Sequence, residues 1–205
     1  MQHLKDQNTS SMNLQSALDV FLVMHDIDMR DDPNFQNTPE RWTRYLLEFL
    51  QPFEASEVLS VTFPPTNPGF NPMVVQGDIP YRAVCAHHLV PVLGHAHVGY
   101  IPNTKIVGLS KLSRLVWGIT HRKPSLQEAV CDEIVDSLCQ YLELGSAEDS
   151  PSGAMCVIVA EHGCMACRGI AEPGVNTGMS SVRGAFRYRP EARAEFFALV
   201  NMTKK

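Results

Sequence analysis

The chain has 205 residues, of which 44% are hydrophobic and 19% are charged, a composition that excludes disorder as its main state. Its net charge of −5 argues against general nucleic-acid binding, which needs a basic surface, but leaves room for a local basic pocket. No apolar run approaches the ~20 residues that span a bilayer, and the polar start lacks the apolar stretch of a secretory signal. We therefore expect no membrane partner and a reducing, cytoplasmic compartment, in which the six cysteines are thiols or metal ligands.

Two helices are predicted before the first proline-rich segment. Residues 13–26 carry apolar side chains close to helical spacing. Residues 38–53 carry one apolar stripe, which predicts an amphipathic helix with Thr38 as its N-cap and a proline at its first position. The prolines and glycine of the segment 64–72 predict a loop. We expect this loop to divide the chain into an N-terminal helical portion, residues 1–63, and a second domain, residues 73–205.

The second domain is predicted to contain pairs of strands separated by helices. Strand-like runs with turn residues at their ends occur at 73–79, 81–86, 92–101, 105–109, 154–161 and 175–189. Helices are predicted over 110–121, over 125–144, where apolar residues recur at i+4 steps, and over 190–201. This order of elements predicts an α+β fold with a largely antiparallel sheet.

The densest group of reactive side chains is the run from Cys85 to His88, together with His162 and Cys164 much later in the chain. Cysteine and histidine are preferred zinc ligands, and each group follows a predicted strand. A single cysteine or histidine needs no metal to explain it, but two such groups favour a metal site. Spacing leaves the ligand set open, because Cys85 and His87 share a face only if the strand stays regular, whereas Cys85 and His88 require a turn.

The pair His95 and His97 offers a competing metal site. The two side chains lie at i and i+2 on one face of the strand predicted over 92–101. An H-x-H pair can bind a metal, but no cysteine or carboxylate lies near this pair in the sequence. We therefore interpret both histidines as part of the outer face of a sheet.

Four motifs, in order, resemble the signatures of the GTP cyclohydrolase I family. They are CAHHLVPVLGHAHVGYIP, KIVGLSKLSRLV, LQEAV and HGCMACRG, at residues 85–102, 105–116, 126–130 and 162–169. TPER at residue 38 and NPMVVQGDIPY before Cys85 are similar too, so the resemblance covers roughly residues 14–200. It implies the tunnelling fold, an antiparallel sheet with two helices packed on one side, preceded by a helical extension. It also implies a homo-oligomeric barrel, commonly a decamer, with sites shared between subunits.

The resemblance implies that the chain converts GTP and water to 7,8-dihydroneopterin triphosphate and formate. It places a zinc ion on Cys85, His88 and Cys164, which leaves a fourth position for water, the catalytic arrangement. His87 becomes an acid/base group near the ribose, and His162 protonates the imidazole ring of the purine. The remaining site residues implied by the resemblance are Ser110, Lys111, Arg114 and Arg168 for ribose and phosphates, Gln127 and Glu128 for guanine, and Arg41 and Arg44 for a neighbour's phosphates.

Elementary chemistry supports these roles without requiring them. Guanine presents an N1–H and an exocyclic amine side by side, and the carboxylate of Glu128 can accept from both. Glu128 is equally explained by its place in the first turn of a helix, where a negative charge meets the helix dipole favourably. Arginine suits phosphate because its planar fork donates two hydrogen bonds at once. Any single basic residue of this set is equally explained as a solvated surface charge.

Three departures from the family pattern are visible. Ala86 replaces a glutamate, which removes a carboxylate beside the metal ligands. Cys167 forms a C-x2-C pair with Cys164, so an alternative or oxidised ligand pair is open, and the segment before Gln127 is one residue longer. Two other functions therefore stay open: a zinc-stabilised purine- or pterin-binding module without catalysis, and another tunnelling-fold enzyme acting on a purine-like substrate. Retention of His87 and His162 argues against the first, and the ligand-like spacing of the cysteines argues against the second.

Overall fold

The computed structural model describes residues 14–24, 32–66 and 72–203. The chain divides into two compact units, with the division after Glu48. In the first unit, helix α1 spans Leu14–Met24 and helix α2 spans Thr38–Leu47, which confirms both helices in outline. The domain division at the proline-rich loop stays a prediction, because residues 67–71 lie outside the described residues. No helix within the described ranges is both long and apolar enough to cross a membrane.

Helix α2 is shorter than its apolar stripe predicts. Its N-cap is Asn37, which has a positive φ of 63°, so the expectation that Thr38 caps the helix is wrong. The helix ends at Leu47, whereas the stripe continues to Phe53. Phe53 instead packs against the main core of the second unit, and its ring fills the space where a side chain at Gly118 would lie. The last apolar residue of the stripe thus belongs to a different core from the one that the helical pattern suggests.

A four-stranded antiparallel sheet forms the second unit, in the order β1-β2-β3-β4. Its strands are β1 at Val74–Val84, β2 at Pro91–Ile101, β3 at Gly153–His162 and β4 at Asn176–Gly184. Strand β1 unites two runs expected as separate strands, because a bulge at Asp78, with φ of 51°, absorbs the irregularity. The strand expected at 105–109 is wrong, since Ile106 forms only an isolated bridge with Phe63.

Six helices accompany the sheet: α3 at Ala55–Leu59, α4 at Ser110–Arg122, α5 at Gln127–Leu142, α6 at Gly163–Ala166, α7 at Ala185–Tyr188 and α8 at Pro190–Thr203. Helices α4 and α5 pack on one face of the sheet, as expected: α4 contacts β1, and α5 contacts β3 and β4. Leu115, Ile134 and Val98 belong to the one buried core that forms there. Burying a side chain such as Ile134 stabilises the fold by ~1.5–3 kcal/mol. Residues 185–188 are helical, so the extended segment expected there ends early, at Gly184.

The opposite face of the sheet is covered at one end only. Helix α8 packs there, with Phe196 lying where a side chain at Gly99 would extend. His97 is buried at this end, and its Nδ1 accepts a hydrogen bond from the backbone N–H of Asp78 at 3.1 Å. His95, two residues before it on β2, is exposed, and both histidines line an open hollow of about 740 Å³. The two histidines do share the face away from α4 and α5, but α8 was not anticipated on it.

Candidate active site

A tight turn after β1 brings His88 back onto Cys85. The backbone N–H of Cys85 donates to the carbonyl of Val90, and the N–H of Leu89 donates to the carbonyl of Cys85, both at 2.9 Å. Leu89 takes a positive φ of 54° to close this turn. As a result, Nδ1 of His88 lies 3.9 Å from the Sγ of Cys85. The chain therefore reverses at the point where the pairing of Cys85 with His88 required a turn.

Cys164 reaches the same place from the end of β3. His162, the last residue of β3, pairs with Val92 at the start of β2, so the two strand ends lie side by side. The chain then enters the short helix α6, and a side chain at Gly163 would come within 2.8 Å of the carbonyl oxygen of Pro91. Glycine thus allows this segment to pass close to β2. Sulfur and nitrogen atoms of Cys85, His88 and Cys164 all lie within 4.8 Å of one another.

These three residues, called the ligand group below, fit a zinc ion chemically and in size. Two thiolates and an imidazole are ligands that zinc prefers, at about 2.3 Å for sulfur and 2.0–2.1 Å for nitrogen. Across a tetrahedral angle such ligands lie ~3.5–3.8 Å apart, close to the separation of Cys85 and His88. Burial and the neighbouring Cys85 raise the pKa of the Cys164 thiol, because a second negative charge there would be unfavourable. A cation between the two sulfurs would remove that penalty.

A second contact lies beside the ligand group and joins His162 to Gln127. Nε2 of His162 lies 2.6 Å from Oε1 of Gln127, which is the first residue of α5 and is only 2% exposed. The amide nitrogen of Gln127 donates to the carbonyl oxygens of Ile158 and Thr177, each at 2.9 Å. Helix α5 and strands β3 and β4 therefore hold this side chain from three directions. Sequence reasoning placed both residues at the site but did not foresee their contact, which depends on the packing of α5 against the sheet.

His87 and Glu128 border the two groups and are exposed. The ring of His87 lies 6.1 Å from that of His88 at a steep angle, and His87 is not a member of the ligand group. Cys167, which the C-x2-C spacing suggested as an alternative ligand, is exposed and donates to the carbonyl of Gly163 at 2.7 Å. It also lies outside the ligand group.

The predicted phosphate-binding residues lie on several elements. Ser110 and Lys111 open α4, and Arg114 lines a hollow of about 390 Å³ together with Arg82 and Trp117. The exposed indole of Trp117 stacks on His121 with 4.5 Å between ring centroids, a feature that the sequence analysis did not single out. Alone, an exposed tryptophan in a helical pattern carries no such signal.

Three further arginines of the predicted set have their own surroundings. Arg168 is exposed in the segment that follows α6. In the first unit, Arg41 donates to the backbone carbonyls of Asn34 and Gln36, and Arg44 forms an exposed ion pair with Glu40 at 2.9 Å. The structure therefore brings together the three predicted metal ligands, and separately His162 with Gln127. These arginines stay solvent-facing or bound to their own helix and turn.

Comparison with known proteins places the whole site within one family. The sequence model of the family described as GTP cyclohydrolase I matches residues 14–201. The chain is 41% identical to GTP cyclohydrolase 1 of Streptomyces griseus over 85% of its own length and 84% of the relative's. It is 40% identical to GTP cyclohydrolase 1 of Thermobifida fusca, over 83% and 80% of the two chains. Identity to GTP cyclohydrolase 1 of Clostridium perfringens is 38%, over 80% and 84%.

Proposed function

Because this chain belongs to the GTP cyclohydrolase I family, we propose that it converts GTP and water to 7,8-dihydroneopterin triphosphate and formate at the ligand group and the residues beside it. The observation that carries the proposal is the convergence of Cys85, His88 and Cys164 within 4.8 Å, in a chain that matches the family over nearly its full length. This reaction begins the synthesis of pterins and folate. The six free thiols and the use of GTP both suit the cytoplasm.

Zinc is the metal that the donor set favours. Cys85, His88 and Cys164 would hold it, and three protein ligands are typical of catalytic rather than structural zinc. When bound, the ion would supply a water activated for nucleophilic attack near neutral pH. The missing carboxylate at Ala86 would leave the ligand group with one fewer outer partner.

Two histidines outside the ligand group carry the proposed proton transfers. His162 is two residues from Cys164 and would donate a proton to N7 of the purine while C8 is attacked. His87, exposed in the turn that also presents His88, would serve the later steps at the ribose, with the Ser110 hydroxyl as a further catalytic group. Neither histidine needs to bind the metal for these roles, which agrees with their exclusion from the ligand group.

Recognition of GTP divides between a base end and a phosphate end. Glu128 at the start of α5 is exposed beside buried Gln127, so its carboxylate is free to accept from the N1–H and amine of guanine. The triphosphate would be held by the basic residues Lys111, Arg114 and Arg168, with Arg41 and Arg44 reaching the site of a neighbouring subunit. For that role, Arg41 and Arg44 would exchange their present partners for phosphate oxygens.

We also propose a homo-oligomeric barrel, most simply a decamer. Strands β1 and β4 are the edges of the sheet, and an edge strand presents unpaired backbone groups that ring closure would satisfy. Light scattering should therefore give a mass several times that of one chain. A fully active monomer would contradict the proposal that subunits share sites.

The activity is tested by incubating the purified protein with GTP and measuring the fluorescent pterin that appears after oxidation. Formate should be released in equal amount, ATP should give no product, and about one zinc per chain should accompany the active protein. Removal of the metal with a chelator should abolish turnover, and added zinc should restore it. If the zinc-loaded protein forms no pterin and no formate, the proposed function is wrong.

A further inference from the structure

The side chain of Gln127 has no hydrogen-bond donor left for a substrate. Its amide nitrogen has two hydrogens, and the carbonyls of Ile158 and Thr177 accept both at 2.9 Å. Its oxygen faces Nε2 of His162 at 2.6 Å. A glutamine that is 2% exposed and bonded in three directions cannot turn toward a ligand without leaving two backbone carbonyls unpaired. The proposed grip of Gln127 on guanine competes with this arrangement.

The two carbonyl partners also fix which end of the amide faces the histidine. Carbonyl oxygens only accept hydrogen bonds, so the nitrogen of Gln127 must point at Ile158 and Thr177. Its oxygen, which only accepts, then points at His162. Nε2 of His162 must therefore carry a hydrogen, because two acceptors would repel each other at this distance. Whenever the ring is neutral, its lone pair is therefore on Nδ1.

This tautomer decides which nitrogen of His162 can meet a substrate. Nε2 is occupied by Gln127, so any proton that passes between the ring and a bound purine passes through Nδ1. In the proposed reaction the ring would donate from Nδ1 to N7 of the purine while it carries a proton on both nitrogens, and it would be left neutral with its remaining hydrogen on Nε2. A carboxylate in place of the amide would not select the orientation in this way, since it cannot donate to the two backbone carbonyls.

We infer that Gln127 is a positioning residue, which holds the His162 ring in one orientation and with Nε2 protonated, and that recognition of the guanine edge falls to Glu128. This inference rests on the proposed function for the identity of the reaction, but the contact itself does not depend on it. The buried amide acts on the substrate only through the histidine.

The test is a double-mutant cycle with Gln127→Met and His162→Ala, assayed with GTP. Gln127→Met keeps the length of the side chain and should lower kcat ~10–100-fold, the usual effect of removing the partner that orients an active-site histidine. KM should change little, and the ratio of activities with GTP and inosine triphosphate, which lacks the 2-amino group, should stay the same. In the His162→Ala background, Gln127→Met should have almost no further effect.

A matched control distinguishes loss of the His162 orientation from a general weakening of the contact between α5 and β4. Ser181→Ala removes another hydrogen bond between β4 and α5, from the Ser181 hydroxyl to Asp132 at 2.6 Å, and should leave kcat near wild type. If Gln127→Met lowers kcat equally with and without His162, its effect is structural and the inference is wrong. A change in the ratio of activities with GTP and inosine triphosphate would instead show that Gln127 contacts the guanine edge, which would also contradict the inference.

A spectroscopic readout keeps the inference testable without turnover. In the zinc-loaded protein labelled with ¹⁵N-histidine, the His162 signal, assigned by its loss in His162→Ala, should report a hydrogen on Nε2. Gln127→Met should remove that preference. A ring protonated at Nδ1 alone in the wild type would overturn the inference even if the enzyme makes pterin. If the protein is inactive but His162 shows the expected tautomer, the inferred contact stands and only the proposed reaction is wrong.

Discussion

The ligand group and the His162–Gln127 pair are neighbours that the fold builds in opposite ways. Two of the three ligands come from irregular backbone: His88 is exposed in a turn, and Cys164 lies in the four-residue helix α6. The pair comes from regular elements, since His162 ends β3 and Gln127 begins α5. We therefore expect a bound ion to fix the geometry of the ligand group more than that of the pair, whose contact is held by the protein's own hydrogen bonds.

The largest effect that follows from this comparison concerns Cys164. Cys164→Ala should lose both metal and activity, because two remaining protein ligands hold zinc poorly. Metal analysis and the pterin assay check this, and the His162–Gln127 contact should persist in the variant. Full metal occupancy would show that Cys164 is not a ligand.

His162→Ala tests the other half of the comparison. It should keep zinc and the oligomer but lose ~10²–10⁴-fold in kcat, the usual contribution of a positioned acid or base. Added imidazole should restore part of the turnover, a rescue that the metal-free Cys164→Ala variant cannot show. Loss of zinc from His162→Ala would make His162 a ligand and remove the distinction between the two groups.

Glu128→Gln tests whether Glu128, and not its neighbour Gln127, recognises guanine at the start of α5. The amide would face two donors of guanine with one acceptor and one donor, and a buried unpaired donor costs ~1–3 kcal/mol. GTP affinity should therefore fall about tenfold or more, as measured by equilibrium binding, with zinc content unchanged. Near-normal affinity would mean that Glu128 serves only the N-terminus of its helix.

The smallest effect is expected at Ser181. This hydroxyl is 5% exposed and donates to Asp132, away from both groups. Ser181→Ala removes this bond and the one that the hydroxyl accepts from Arg183, so it should lower the free energy of unfolding by about 1–3 kcal/mol and leave pterin formation unchanged. A thermal melt measures the first and the pterin assay the second. A large loss of activity would show that the α5–β4 contact is coupled to the site as a whole.

The elements that the sequence predicts well are those whose own side chains form the buried face. Helix α5 shows clear periodicity and strand β3 is a continuous apolar run, and the structure places both within two residues of the expected bounds. Local sequence patterns mislead where packing against residues distant in the chain decides whether a segment is helical, extended or neither. The apolar stripe at Phe53 serves another core, and the run containing Ile106 finds only one bridge partner.

The candidate site shows the same contrast between residues that local motifs predict and contacts that depend on packing. Residue types and family motifs select Cys85, His88 and Cys164, but only the turn closed by Leu89 shows how His88 returns to Cys85. The hydrogen bonds of Gln127 depend on the packing of α5 against β3 and β4. Such contacts join residues far apart in the chain, so no local pattern encodes them.

Because the cysteines differ in exposure, the number that an alkylating reagent labels should report whether the protein is metal-loaded, empty or unfolded. Cys167 is exposed and should be labelled within the first moments under any condition. Cys85 and Cys164 should resist the reagent while they bind a metal and react once it is removed. The fully buried thiols, Cys131 and Cys156, should be labelled only after unfolding. The number of labels per chain, read by mass, would then distinguish loaded, empty and unfolded molecules in a single mixture.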